Sequence, residues 1–180
     1  MLRNPTATQA APTACPLRLK AIEAHSKEEP KDLVGNVNFC HSLVEAAELP
    51  ISKPIFLQFQ ELPGCHTCTS YAANVLAPPL MAEFLATFFT PVLVNNNPKF
   101  TTEEDVRVLS KFNEPFENNP TSRIVLNDES LVANSGDVYS LQEIFTYAVN
   151  ALLKIGDEKV ARELNVAWVD ALALSAGVGL

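Results

Sequence analysis

Residues 54–68 read PIFLQFQELPGCHTC, and two features of this stretch decide the fold when taken together. Ile55 to Phe59 is an apolar run of strand length with β-branched and aromatic residues, the pattern of a strand buried on both faces. Cys65 and Cys68 follow it, separated only by His66 and Thr67, and TSYAANVL behind them reads as a helix. The C-x-x-C pair is therefore expected at the carboxyl edge of a sheet, in the first turn of a helix. Free backbone N–H groups and the helix dipole favour negative charge there, so a thiol ionises more readily than an isolated one of pKa ~8.5. Only a thiolate attacks a disulfide, which makes Cys65 the candidate nucleophile, exposed to solvent. Two intervening residues in a helical turn bring the more buried Cys68 back beside it, placed to resolve a mixed disulfide.

Outward from this stretch, helices and strands alternate. Upstream, DLVGNVNFCHSLVEAAEL spaces Val34, Val37, Leu43, Val44 and Ala47 in a helical rhythm that Pro50 closes. Downstream, Ala77-Pro78-Pro79 interrupts the helical text, because two missing N–H donors kink or break a helix. Phe84, Phe88 and Phe89 fall at helical spacing in the second piece and read as core. PVLVN is a second buried strand and NNNPKF a polar turn. TTEEDVRVLSKF is a helix with Thr102 as N-cap and acidic residues in its first turn. After the breaker-rich loop NEPFENNP, TSRIVLN and SLVANSG form a hairpin. VYSLQEIFTYAVNALLKIG is an amphipathic helix stopped by Gly156, and DEKVARELNVAWVDALALSAG is a further one. PLRLKAI near the start reads as a short strand.

A strand–helix–strand opening implies a right-handed parallel crossover, and the hairpin adds an antiparallel strand. The expected class is α/β: a central mixed sheet of four to five strands flanked by helices, with an N-terminal extension and an extra C-terminal helix. The expected organisation is a flexible arm over 1–30, the main domain over 31–155, and a helical extension over 156–180 packed on that domain, its apolar face of Val160, Leu164, Trp168 and Leu172 being open to two uses, covering the sheet or meeting a second subunit.

Composition narrows the function. The 180 residues are 47% hydrophobic and 19% charged, with 21 acidic against 13 basic side chains and a net charge of −8. Such a field repels nucleic acid and anionic membranes, and Arg and Lys are scattered singly, so neither is an expected partner. No run reaches the ~20 apolar residues of a membrane-spanning helix. Four cysteines, with Cys15 and Cys40 outside any motif spacing, do not make the disulfide framework of a small secreted domain. The lack of an apolar secretory core points to the cytoplasm, with the periplasm or an organelle as the expectation for a processed chain. Oligomeric state is left open.

The block from Lys53 to Asn97 resembles the thioredoxin-like superfamily, and within it the branch that includes the C-terminal domain of the membrane thiol carrier DsbD. The resemblance runs through Lys53-Pro54, Cys65-x-x-Cys68, Val75-Leu76, Pro78 or Pro79, and Pro91 to Val94. It implies a thioredoxin-like fold and thiol–disulfide exchange by Cys65 and Cys68, with a protein disulfide or dithiol as substrate and an upstream redox partner. It implies no cofactor and no bound metal. The family places a cis-proline before its third core strand, where adjacent backbone holds a substrate strand; Pro120 is the matching position, between Asn119 and Thr121. Gly64 and His66 border the nucleophile and join this substrate-binding set. The chain departs from the family in having Pro63-Gly64, not an aromatic residue, before the first cysteine. It also lacks a clear counterpart of the buried carboxylate, Glu61 being the nearest acid.

Three other readings stand beside exchange: a structural disulfide, a non-catalytic binding protein on the same scaffold, and a metal carrier using Cys65, Cys68 and His66.

Overall fold

The computed structural model describes residues 34–156. The expected arm over 1–30, the strand PLRLKAI and the helix after Gly156 lie outside the described residues. Within them run α1 (Leu43–Ala47), β1 (Ile55–Gln60), α2 (His66–Tyr71), a π-helical turn (Ala72–Leu76), α3 (Pro79–Phe88), β2 (Thr90–Asn95), α4 (Glu103–Phe112), β3 (Thr121–Val125), β4 (Leu131–Asn134) and α5 (Leu141–Ile155).

The four strands form one mixed sheet in the order β2-β1-β3-β4. β1 is central, parallel to β2 and antiparallel to β3, and its six residues are all buried, as an apolar run of this kind requires. Alternation along β1 sends Phe56 to one face and Ile55, Leu57 and Phe59 to the other, and each face has its own core. On the first, Phe56 and Leu93 meet Phe84, Phe88, Phe89 and Phe145 from the α3 and α5 side, with Phe84 and Phe145 ring centroids 4.6 Å apart. On the second, Leu57, Phe59, Val92 and Val94 pack against Leu43 and Ala46 of α1 and Val108 and Leu109 of α4. Phe56, Phe59, Phe84 and Phe89 are almost wholly buried, and each such side chain contributes about 1.5–3 kcal/mol of burial free energy.

Local chemistry sets the element ends. Thr102 and Asp105 form a reciprocal capping box at the start of α4, and Asn113, in the left-handed region at φ 54°, ends it. Ser140 caps α5, and Gly156 at φ 76° terminates it. Pro79 stands at the first position of α3, where its missing N–H costs nothing. Before it the backbone widens into the π-helical turn, closed by Ala77 N–H donating to the Ala72 carbonyl at 2.8 Å.

The helix expected over 32–49 is confined to Leu43–Ala47. Gly35 adopts φ +66°, Val37 and Phe39 point inward on either side of exposed Asn38, and Cys40 pairs with the outer edge of β2. There Cys40 N–H donates to the Pro91 carbonyl and Leu93 N–H to the Cys40 carbonyl, both at 2.9 Å. These two bonds to the sheet outweigh a helical register. The Gly35 turn lies against the π-helical segment: a β-carbon on Gly35 would sit 2.6 Å from the Leu76 carbonyl carbon. Asn36 donates to the carbonyls of Leu76 (backbone, 3.2 Å) and Ala77 (side chain, 2.5 Å).

The directions of the strands gather the site at one edge. β1 and β2 end there at Gln60 and Asn95, which are paired. β3 runs the other way, so it begins there: Thr121 is opposite Phe59. β4 runs antiparallel to β3 and delivers the 135–140 loop to the same edge.

Candidate active site

At this edge the chain leaves β1 at Gln60, turns through Glu61-Leu62-Pro63-Gly64 and enters α2 with Cys65 as its N-cap residue. Cys65 is exposed, Cys68 is fully buried, both are free thiols, and their sulfurs are 3.6 Å apart. Burial pushes the Cys65 thiol up. Hydrogen bonds from the backbone and thiol of Cys68, and from the backbone and hydroxyl of Thr67, outweigh it and hold Cys65 below the ordinary thiol range. Burial pushes Cys68 up to about 12; the charges at Cys65 and Glu61 add to this, and the Glu61 backbone N–H partly offsets it. Neighbouring sulfurs thus carry opposite tendencies, one toward thiolate and one toward thiol.

Three features of the sequence fix this geometry. Gly64 is one: a β-carbon there would lie 2.4 Å from the Glu61 carbonyl oxygen and 2.6 Å from the Cys68 β-carbon, so only glycine lets the turn close onto α2. Glu61 is the second. Its carboxylate and the two sulfurs lie within 4.8 Å of one another, although the residue sits in the loop after β1. Third is Gln60, whose side chain donates to the Cys68 carbonyl at 3.2 Å from inside the core.

NNNPKF is the polar turn expected, but its asparagines have partners that the sequence does not announce. Asn95 grips the Leu62 peptide on both sides, accepting from its N–H at 2.9 Å and donating to its carbonyl at 2.8 Å. Asn97 donates to the Pro63 carbonyl at 3.1 Å. Asn96 accepts from Glu117 N–H at 3.0 Å and donates to the Asn118 carbonyl at 3.2 Å. Asp105, whose carboxyl burial pushes up against hydrogen bonds from Thr102 and Asn95, receives the Asn95 N–H at 3.0 Å and so anchors the group to α4. The turn before the cysteines and the loop before β3 are thereby tied to one piece of backbone.

Of the remaining expected residues, His66 is the exposed first residue of α2, outside the Glu61–Cys65–Cys68 cluster. Asn119 is exposed, while Pro120 and Thr121 are buried at the start of β3. The Thr121 hydroxyl is 3.4 Å from Ser135 Oγ and 3.3 Å from the Gly136 carbonyl, so what this strand end can present outward is backbone. The cis geometry expected at Pro120 is found elsewhere: among the described residues the cis peptide bond is Leu62-Pro63. Asn119-Pro120 keeps the trans form that most X-Pro bonds adopt. Tyr139, in the β4–α5 loop, is a further neighbour without a sequence signal. Burial and Asp137 raise its phenol, Asn119 hydrogen-bonds to it, and Cys68 is near enough to add to the shift.

A central β1 flanked by parallel β2 and antiparallel β3, with helices on both faces and a C-x-x-C where β1 meets α2, defines an α/β protein of thioredoxin-like fold. Among solved structures, one titled DsbH oxidoreductase superposes on it with a TM-score of 0.52, covering 75% of this chain and 97% of that one at 15% identity. No family model matches the chain and no curated protein matches its sequence. No helix among the described residues is long and apolar enough to cross a membrane.

Proposed function

We propose that this chain is a thiol–disulfide oxidoreductase acting on protein disulfides or dithiols. The observation that carries the reading is the asymmetric pair: an exposed Cys65 biased toward thiolate, 3.6 Å from a buried Cys68 biased toward thiol. The name of the structural neighbour agrees with it. The quoted residues from Lys53-Pro54 to Val94 put it, in this reading, beside the branch that holds the DsbD C-terminal domain.

In the reducing direction, Cys65 thiolate attacks one sulfur of the substrate disulfide, forming a mixed disulfide and expelling the other substrate sulfur as thiolate. Cys68 then loses its proton to solvent and attacks Cys65 Sγ. That step releases the second substrate thiolate and leaves a Cys65–Cys68 disulfide. Two electrons pass to the substrate. The oxidising direction is the reverse. The substrate segment lies extended beside Asn119-Pro120-Thr121, with Gly64 and His66 bordering the attacking sulfur. An upstream redox partner resets the pair, and the chemistry requires no organic cofactor.

The test is alkylation of the reduced protein across pH, followed by equilibration with glutathione. Cys65 should react with an apparent pKa below ~8.5 and Cys68 should stay protected. Cys68→Ser should accumulate a mixed disulfide that Cys65→Ser cannot form. An ordinary Cys65 pKa together with no exchange would overturn the reading.

A further inference from the structure

We propose that the reduced pair and Glu61 together form a binding site for one thiophilic divalent cation, Zn2+ being the probe of choice. The donors are Cys65 Sγ, Cys68 Sγ and one Glu61 carboxylate oxygen, all within 4.8 Å of one another. Two thiolates ~2.3 Å from a tetrahedral Zn2+ stand about 3.8 Å apart, and a carboxylate oxygen on the same ion stands about 3.6 Å from each sulfur. The sulfurs are already 3.6 Å apart, so the pair needs almost no movement and the carboxylate only a short inward swing.

The backbone holds these donors together. Gly64 lets the Glu61 carbonyl oxygen and the Cys68 β-carbon approach a common point, Asn95 and Asn97 pin Leu62 and Pro63 between them, and Gln60 pins Cys68 from below. Access is one-sided: Cys65 is exposed, Glu61 half-buried and Cys68 buried. Three protein donors and one solvent-facing position match the pattern of exchangeable zinc sites, not closed structural ones. Binding releases to solvent the protons that the two thiols carry and changes no oxidation state. The metal-carrier alternative read from the sequence had His66 as third ligand; the cluster has Glu61 in that place.

Binding and oxidation exclude one another, because a disulfide of ~2.05 Å removes both thiolates. The cation would therefore occupy only the dithiol form and shield it from oxidation. The site does not depend on exchange activity, since the donors suffice whether or not a substrate is turned over.

The experiment titrates the reduced full chain, carrying Cys15→Ser to remove that thiol, with Zn2+ against a chromophoric chelator, and repeats it with Co2+ to record sulfur-to-metal absorption. Expected are one equivalent bound, a thiolate–Co2+ band, and no binding after oxidation. Glu61→Gln should weaken affinity by ~10-fold or more, and His66→Ala should leave it unchanged. Cys68→Ser should lose the site. Binding weaker than that of free dithiothreitol, an unaffected Glu61→Gln variant, or dependence on His66 would each overturn the proposal. Disulfide exchange measured separately with chelator present reports on the oxidoreductase reading alone.

Discussion

Replacing Gly64 by alanine tests whether the turn before the cysteines is held by contact. The new methyl would start 2.4 Å from the Glu61 carbonyl oxygen and 2.6 Å from the Cys68 β-carbon. Neither atom is the free end of a flexible side chain: one is backbone clamped next to Leu62, the other belongs to a fully buried residue. Relief requires the turn to lift off α2 by more than half an ångström, and overpacking of this kind costs about 1–3 kcal/mol. For a chain of this size that is a fall in Tm of roughly 2–12 °C. The lift also separates Glu61 from Cys68 and loosens the register between the sulfurs. Calorimetry should show the lower Tm, and quantitative alkylation should show Cys68 less protected. Gly136→Ala serves as control, since it meets nothing within 4 Å and strains only its φ of +63°. A Gly64→Ala protein with unchanged Tm and unchanged thiol reactivity would refute the close-approach argument.

Asn95→Ala removes both bonds to the Leu62 peptide and leaves that buried N–H and carbonyl unpaired. The expected loss is about 2–4 kcal/mol in a urea titration, and a change below ~0.5 kcal/mol would mean that the clamp is dispensable. Stability should also fall as the solution turns alkaline. Cys68, held near 12, and Tyr71 and Tyr147, both raised by burial, keep protons in the folded state that the unfolded chain releases from about pH 8.5–10 upward. Groups with raised folded pKa values stabilise fully below their unfolded pKa and lose that contribution as pH climbs toward the folded value. The urea midpoint of the reduced protein should therefore be lower at pH 10.5 than at pH 8, and Cys68→Ala should flatten part of the decline. A midpoint that rises over this interval contradicts the assignment.

The parts of this fold that were legible in the sequence are those decided by neighbours in the chain. β1 carries Ile55, Phe56, Leu57 and Phe59 because both its faces are covered, and α4 begins at Thr102 because its cap lies three residues from its partner Asp105. What could not be read depends on partners far away. Val34 and Val37 fit a helical spacing as well as a turn followed by an extended segment, and only the pairing of Cys40 with β2 decides between them. The Asn95 amide acts on Leu62, 33 residues earlier, and Tyr139 comes near Cys68 only because β4 returns its loop to the same edge. Glu61 was visible as the nearest acid, but its distance from the sulfurs is set by Gly64 and the clamp, neither of which advertises itself as such.

The Gly35-Asn36 contact with the π-helical turn bears on where this unit can be cut. A fragment beginning at Val37 would retain the four described strands, Cys65 and Cys68, and the asparagine clamp. It would lose the donors that Asn36 gives to the Leu76 and Ala77 carbonyls, each such bond worth about 0.5–1.5 kcal/mol, and it would uncover the turn that Gly35 fits against. That turn joins the cysteine-bearing helix to α3, so the C-x-x-C edge is braced in part by a segment about thirty residues upstream of Cys65.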